Sequence, residues 1–182
     1  MRFEAVEVTD KLGRTVVLRN AEVADAEELI RYLRGVPGET PFMIREPDEV
    51  TLTREQEEKF IGNCLDGERE VMMVAEMDGK LAGNCSLRGI GTYKRYAHRC
   101  DVAIALYQEF CGCGIGRKMM EMLLDLAKRM GYEQAELEVV SENKRAIGLY
   151  ESLGFVKYGC FPRNMKYADG SYVSADWMMK VL

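Results

Sequence analysis

The chain has 182 residues and a formal net charge of −5, and 47% of its residues are hydrophobic and 30% charged. These values are typical of one globular domain over 1–182 and exclude the basic domain that nucleic-acid binding requires. No stretch approaches the roughly 20 apolar residues of a membrane span, and the N-terminus lacks the apolar core of a signal peptide. We therefore expect a cytoplasmic protein with neither a nucleic-acid nor a membrane partner.

The first half of the chain predicts a hairpin, two helices and a second hairpin. A turn-like segment at 10–13 and Asp78-Gly79 mark the two hairpin turns, and Gly35-Val36-Pro37-Gly38 should end the first helix. Thr53 and Gln56 form a capping box for the second helix. In chain order, the predicted elements are strands at 3–8 and 15–19, helices over 21–34 and 53–64, and strands at 71–77 and 81–90.

The second half alternates strands and helices around a glycine-rich turn. Together with the first half it predicts an α/β (mixed α+β) fold. This fold has a central, mixed, mostly antiparallel twisted sheet of six to seven strands flanked by helices on both faces. The predicted elements are a strand at 100–106, a helical pattern over 119–127 that stops at Gly131, a strand at 135–140, a short helix from Asn143 to Gly154, and strands at 156–161 and 172–180.

The glycine-rich turn is a candidate phosphate-binding loop. Strand, glycine turn and helix in succession present bare backbone N–H groups to an anion at a helix N-terminus. Arg117 breaks the dinucleotide fingerprint, and Arg117-Lys118-Met119 does not complete a Walker A loop, so neither nucleotide motif fits. A tight turn without a ligand explains the glycines equally well when they are taken alone. The turn comprises Cys111, Gly112, Cys113, Gly114, Ile115 and Gly116.

Together, this turn and a second motif downstream resemble the GNAT superfamily of acetyl-CoA-dependent N-acetyltransferases. The turn 111–116 corresponds to the family's Gln/Arg-x-x-Gly-x-Gly/Ala loop, and Asn143-x-x-Ala146-x-x-Leu149-Tyr150-x-x-x-Gly154-Phe155 follows at the family's spacing. The matching core covers 99–155, about a third of the chain. Cys111 departs from the pattern, because the family usually has Gln or Arg there. The resemblance implies the GNAT fold and acetyl-CoA as a co-substrate.

The resemblance also implies which residues contact the coenzyme. The strand 102–106 should offer backbone groups to the pantetheine arm where it separates from the strand at 135–140. The Ile104 N–H should stabilise the oxyanion. Asn143 should cap its helix and bond the pantetheine. The implied coenzyme-binding residues are Ile104, Ala105, Leu106, Cys111, Gly112, Cys113, Gly114, Ile115, Gly116, Arg117, Asn143, Ala146 and Tyr150.

Amide formation requires that the amine loses a proton and that the departing thiolate gains one. Tyr150 is the predicted general acid, since the family places its acid at this motif position and a phenol is protonated at neutral pH. A tyrosine that only packs its helix onto the sheet is the alternative. Glu138 is a possible base. Asp101, the single histidine His98 and a relayed water are the other candidates.

The six cysteines are expected to be free thiols in a reducing compartment. A metal site built from His98, Cys100, Cys111 and Cys113 has unsuitable spacing, and we expect no metal. Cys111 and Cys113 at a helix N-terminus also raise a covalent route for acyl transfer. The resemblance places both at the pyrophosphate, which favours direct transfer in a ternary complex.

The sequence therefore predicts an N-acetyltransferase whose acceptor is an amine of a small molecule, a protein or a peptide. The alternative function is a non-catalytic acyl-CoA-binding sensor on the same fold. The acidic N-terminal part, with a net charge of −7 over residues 1–70, suits a cationic acceptor. By resemblance, the segments 39–47, 91–97 and 163–171 shape the acceptor pocket. Family members are often dimers, so a homodimer is a further expectation.

Overall fold

The computed structural model describes all 182 residues and contains one eight-stranded sheet and four helices of two or more turns. The strands are β1 (Val6–Thr9), β2 (Thr15–Asn20), β3 (Glu70–Met77), β4 (Lys80–Gly89), β5 (Arg99–Leu106), β6 (Gln134–Val140), β7 (Val156–Lys166) and β8 (Tyr172–Val181). The helices are α1 (Ala26–Glu39), α2 (Arg54–Asp66), α3 (Ile115–Arg129) and α4 (Lys144–Ser152).

The strand order across the sheet is β1-β2-β3-β4-β5-β6-β8-β7, and every neighbouring pair is antiparallel except β5 and β6. The predicted mixed, mostly antiparallel sheet is confirmed, but the predicted six to seven strands are too few. The strand predicted at 3–8 is present as β1, a short and largely exposed edge strand, and brings the total to eight. It is held to β2 because the buried Asp10 carboxylate accepts hydrogen bonds from the N–H groups of Leu12 and Arg14 in the intervening turn.

The first helix continues beyond its predicted end. Residues 35–38 were expected to stop it, yet α1 runs to Glu39 with Pro37 inside. A proline this near the C-terminus removes only one intrahelical hydrogen bond. The extra turn also buries Val36 completely, and that packing outweighs the unfavourable glycine and proline propensities. The second helix begins as predicted, with Thr53 and Gln56 in a reciprocal capping box.

Helices cover both faces of the sheet, as predicted. On one face α1 and α2 pack over β3 and β4 around Leu29, Ile61 and Val74. On the other face α3 and α4 pack over the central strands, and Met119, Leu123 and Tyr150 belong to the larger buried cluster. No helix is long and apolar enough to cross a membrane.

Candidate active site

A wedge-shaped gap opens in the middle of the sheet between β5 and β6. The two parallel strands are in register only over three residue pairs, from Arg99 opposite Gln134 to Asp101 opposite Glu136. Beyond that point β5 stays paired with β4 as far as Leu106, while β6 stays paired with β8 as far as Val140. The strands therefore separate where the family resemblance implied, and the facing edges lack a strand partner.

The backbone of β5 turns alternate residues toward this gap. The Arg99 carbonyl accepts a hydrogen bond from the Ile90 N–H, and the Tyr107 N–H donates to the Ala82 carbonyl. The odd-numbered residues of this segment therefore direct their backbone groups toward β4. Residues of the opposite parity, which include Ile104 and Leu106, direct their N–H and C=O groups into the gap. The carbonyl of Ala105, an odd-numbered residue, points away from the gap and accepts a hydrogen bond from the buried Tyr32 hydroxyl at 2.7 Å. Any coenzyme contact of Ala105 therefore involves its side chain.

The glycine turn presents a continuous set of free donors. The N–H groups of six successive residues, 112 through 117, donate to no acceptor in the chain, and the first helical bond of α3 runs from Lys118 N–H to the Gly114 carbonyl. Gly112 (φ 81°) and Gly114 (φ 91°) adopt the left-handed conformation that favours glycine. Free donors at the positive end of a helix form a site for a phosphate or pyrophosphate. The geometry thus fits the coenzyme that the motif implies.

Contacts from elsewhere in the chain hold this turn in place. The Cys113 carbonyl accepts from Lys11 N–H at 2.8 Å, and the Cys111 thiol lies 4.0 Å from the Leu106 carbonyl at the end of β5. Cys111, the departure from the family pattern, therefore links the turn to the gap-lining strand. The Arg117 guanidinium instead contacts Ser152 and Glu121, which leaves its backbone N–H as the group that faces an anion.

The two sequence motifs meet beside the gap. A Cβ added at Gly116 would lie 3.3 Å from Leu106 Cδ1 and 3.7 Å from both Ile104 Cδ1 and Leu149 Cδ2. The start of α3, the end of β5 and the middle of α4 therefore converge. Asn143 caps α4 as predicted, since its Oδ1 accepts from Ala146 N–H at 3.2 Å. Its side-chain amide donors bond nothing in the chain.

Tyr150 lies on α4, on the α3/α4 face of the sheet. It is buried in the same cluster as the β6 residue Leu137, and its ring packs against Phe155 with centroids 5.9 Å apart. The hydroxyl makes no hydrogen bond within the protein, and burial raises the pKa of Tyr150 to about 12. The phenol is therefore a protonated donor without a partner in the chain.

Glu138 lies on the other face of the sheet. Its Oε2 accepts from the Trp177 indole N–H and its Oε1 from the Asn164 amide, each at 2.8 Å. Sequence analysis missed both partners, which reach Glu138 from β8 and β7. Among the other candidate bases, Asp101 has its pKa raised by burial, with Arg88 3.7 Å away. Glu136, two residues before Glu138 on β6, projects from the same face of the sheet.

Glu136 is engaged with Arg99, and this ion pair lowers the pKa of the carboxyl. His98 lies outside the gap, at the closed end where β5 and β6 are paired. Its carbonyl accepts the N–H groups of Glu133 and Gln134, which holds the starts of the two strands together. No cluster of three or more histidine, cysteine or acidic side chains forms a candidate metal site.

A cavity of about 470 Å³ lies between the end of α1 and the β7–β8 turn. Its lining includes residues 37–41 and 167–169, and the Tyr167 hydroxyl bridges the two segments by donating to the Pro41 carbonyl at 2.8 Å. Two of the three segments expected to shape the acceptor pocket are thus in contact, whereas 91–97 does not line this cavity. Acidic groups outnumber basic ones in the lining, with Glu39, Glu46 and Asp169 against Arg45.

Comparisons with known proteins agree with this geometry. The crystal structure of the acetyltransferase of GNAT family from Streptococcus pneumoniae superimposes with a TM-score of 0.87 and 28% identity, over 92% of this chain and 99% of that one. The structure of yncA from Salmonella typhimurium with its cofactor acetyl-CoA shares the fold, with a TM-score of 0.79 and 20% identity over 92% and 94% of the two chains.

Among curated proteins, the L-amino acid N-acyltransferase MnaT of Escherichia coli is 26% identical over 92 residues, 50% of this chain and 54% of that protein. The chain thus spans about half the length of this relative. The model of the Acetyltransferase (GNAT) family matches residues 28–155, which include the glycine turn, the gap and the Tyr150 motif. The chain belongs to the GNAT family of acetyltransferases.

Proposed function

We propose that residues 1–182 form one acetyl-CoA-dependent N-acetyltransferase domain that transfers an acetyl group to a primary amine by direct attack in a ternary complex. The observation that carries this proposal is the set of six free N–H groups, 112 through 117, beside a gap lined by unpaired backbone groups of β5. A phosphate-binding turn and an open strand edge are together what an extended phosphopantetheine requires. All six cysteines are free thiols, which suits work in the reducing cytoplasm.

The residues around the gap have separate roles in this reaction. Acetyl-CoA supplies the thioester when bound. The Ile104 N–H points into the gap and stabilises the negative charge that develops on the acetyl oxygen. Tyr150, buried on one face, donates its proton to the departing thiolate, while Glu138, exposed on the other face, accepts the proton of the amine directly or through water. The acid and base thus approach the gap from opposite faces of the sheet.

A covalent acyl-cysteine route is disfavoured by the positions of the thiols. Cys111 and Cys113 lie in the turn, where the phosphates would bind, and their thiols contact the Leu106 and Cys111 carbonyls respectively. Cys100 lies at the closed end of the gap, and burial raises its pKa to about 12, so it remains a protonated and weak nucleophile. Direct attack by the amine needs none of these groups.

Calorimetric titration with acetyl-CoA, followed by a screen of amines for free-thiol release, tests the proposed function. We expect saturable acetyl-CoA binding and turnover with at least one primary amine. Turnover separates an enzyme from an acyl-CoA sensor, which would bind the coenzyme without releasing thiol in the presence of any amine. No binding would contradict the coenzyme site itself.

Glu138→Gln should lower kcat/KM at pH 7 by about 10²- to 10³-fold, because the amide keeps the shape of the side chain but accepts no proton. The residual rate should rise with pH as more of the amine becomes neutral. Glu133→Gln is the matched control, since Glu133 is an exposed residue just before β6 at the closed end of the gap. Unchanged kcat/KM from pH 6 to pH 9 would assign the proton to water instead of Glu138.

A further inference from the structure

Three aromatic side chains lie exposed on the same face of the sheet as Glu138. Trp177 on β8 contacts both Tyr158 and Phe161 on β7, with ring centroids 6.2 and 6.0 Å apart and interplanar angles of 31° and 24°. Their exposed fractions are 38%, 54% and 48% in the same order. We name these three residues the aromatic shelf. On this face α1 and α2 pack mainly over β3 and β4, and the exposure of the three rings shows that no helix covers the shelf.

The shelf adjoins the candidate base. Trp177 is the register partner of Glu138 on β6, and its indole N–H donates to the carboxylate at 2.8 Å. Phe161 pairs with Ala175, two residues nearer the β7–β8 turn. That turn carries Tyr167, which bridges to Pro41 at the cavity. The shelf therefore extends from the reaction site toward the cavity between α1 and the β7–β8 turn.

The charged groups near the shelf are paired, with Glu138 as the exception. Arg99 forms an ion pair with Glu136 and Arg88 lies 3.7 Å from Asp101, whereas the Glu138 carboxylate accepts only from neutral donors. Carboxylates and the negative faces of aromatic rings both favour an ammonium group, and the rings offer a flat apolar surface for stacking. A ligand that matches this surface has an amine at one end and an aromatic or large apolar group a few carbon atoms away.

We propose that the aromatic shelf binds the acceptor, and that the acceptor is a primary amine bearing an aromatic or large apolar group. The amine points to Glu138 and the gap, while the apolar group covers Trp177 and Phe161. This inference rests on the proposed function and adds the substrate class for its acceptor side. An amine without such a group reaches the same gap but leaves the shelf exposed to water.

The test compares two amines, 2-phenylethylamine and the small polar 2-methoxyethylamine, in wild type and variants. We expect wild-type kcat/KM to be about 10- to 100-fold higher for 2-phenylethylamine, as burial of one aromatic ring predicts. Phe161→Ala and Tyr158→Ala should each lower kcat/KM for 2-phenylethylamine about tenfold, mainly through KM, and leave 2-methoxyethylamine and acetyl-CoA affinity unchanged. Val181→Ala, at an exposed position at the far end of β8, is the matched control and should change neither amine.

The outcomes separate the two proposals. Equal use of both amines by the wild type, or equal loss of both in Phe161→Ala, overturns the shelf as the acceptor site while turnover itself upholds the enzyme. Failure to bind acetyl-CoA overturns the proposed function. Light scattering tests a third outcome. If the wild type is a dimer and Phe161→Ala is a monomer, the shelf is an interface between two copies of the chain. Its assignment to the acceptor is then overturned.

Discussion

Gly116→Glu should abolish acetyl-CoA binding, with an increase in Kd of at least about 100-fold, or about 3 kcal/mol. Space is the first cause, because any Cβ at this position lies 3.3 Å from Leu106 Cδ1 and within 4 Å of Ile104 and Leu149. Charge is the second, because a carboxylate in the first turn of α3 competes with the phosphates for the same helix N-terminus. Both effects act on the turn whose free N–H groups are the main support for the proposed function.

Calorimetry at constant ionic strength measures this change, and circular dichroism verifies that the variant is folded. Gly62→Glu is the matched control. Gly62 is also helical, within α2, but an added Cβ there meets nothing within 4 Å, so the same substitution should leave acetyl-CoA affinity within about twofold of wild type. If Gly116→Glu binds acetyl-CoA as tightly as Gly62→Glu does, the turn is not the coenzyme site.

Local signals in the sequence predicted the elements of this fold well. The Thr53 cap and the Asp78-Gly79 hairpin act over a few residues and are present as expected. The predicted end of α1 was wrong because it depends on tertiary packing: Val36 is buried by the extra turn. Propensity at 35–38 carries no information about that burial.

The candidate site required information that no local pattern contains. The gap exists because β5 and β6 share only three register pairs, and register between strands that are distant in sequence follows from the whole sheet. The partners of Glu138 were missed for the same reason. Trp177 is 39 residues away, and Asn164 lies within a register irregularity of β7 between Phe161 and Met165, which breaks the alternation of faces.

The positions of the acid and the base relative to the sheet connect these observations. Tyr150 and Glu138 were both predicted from the sequence, but their arrangement on opposite faces was not. A buried, unpartnered phenol on one side and an exposed carboxylate on the other give the leaving thiolate and the incoming amine separate approaches to the gap. Because the two groups do not touch each other, their contributions should be separable by single substitutions.

Tyr150→Phe should lower kcat by about 10²- to 10³-fold and leave acetyl-CoA affinity within about twofold of wild type. The change removes only a hydroxyl that bonds nothing in the protein, so the free energy of unfolding should be nearly unchanged. Since burial raises the pKa of Tyr150 to about 12, the phenol stays protonated from pH 6 to pH 9. The loss in kcat should therefore be the same factor from pH 6 to pH 9.

Tyr132→Phe provides the opposite pattern as a control. Tyr132 is also buried, but its hydroxyl donates to the Arg69 carbonyl at 2.8 Å, so its loss should cost about 1 kcal/mol of unfolding free energy without lowering kcat at saturating substrates. Thermal unfolding and thiol-release kinetics on both variants measure the contrast. A normal kcat in Tyr150→Phe would mean that this tyrosine only packs α4 onto the sheet, and the proton for the thiolate would then come from solvent.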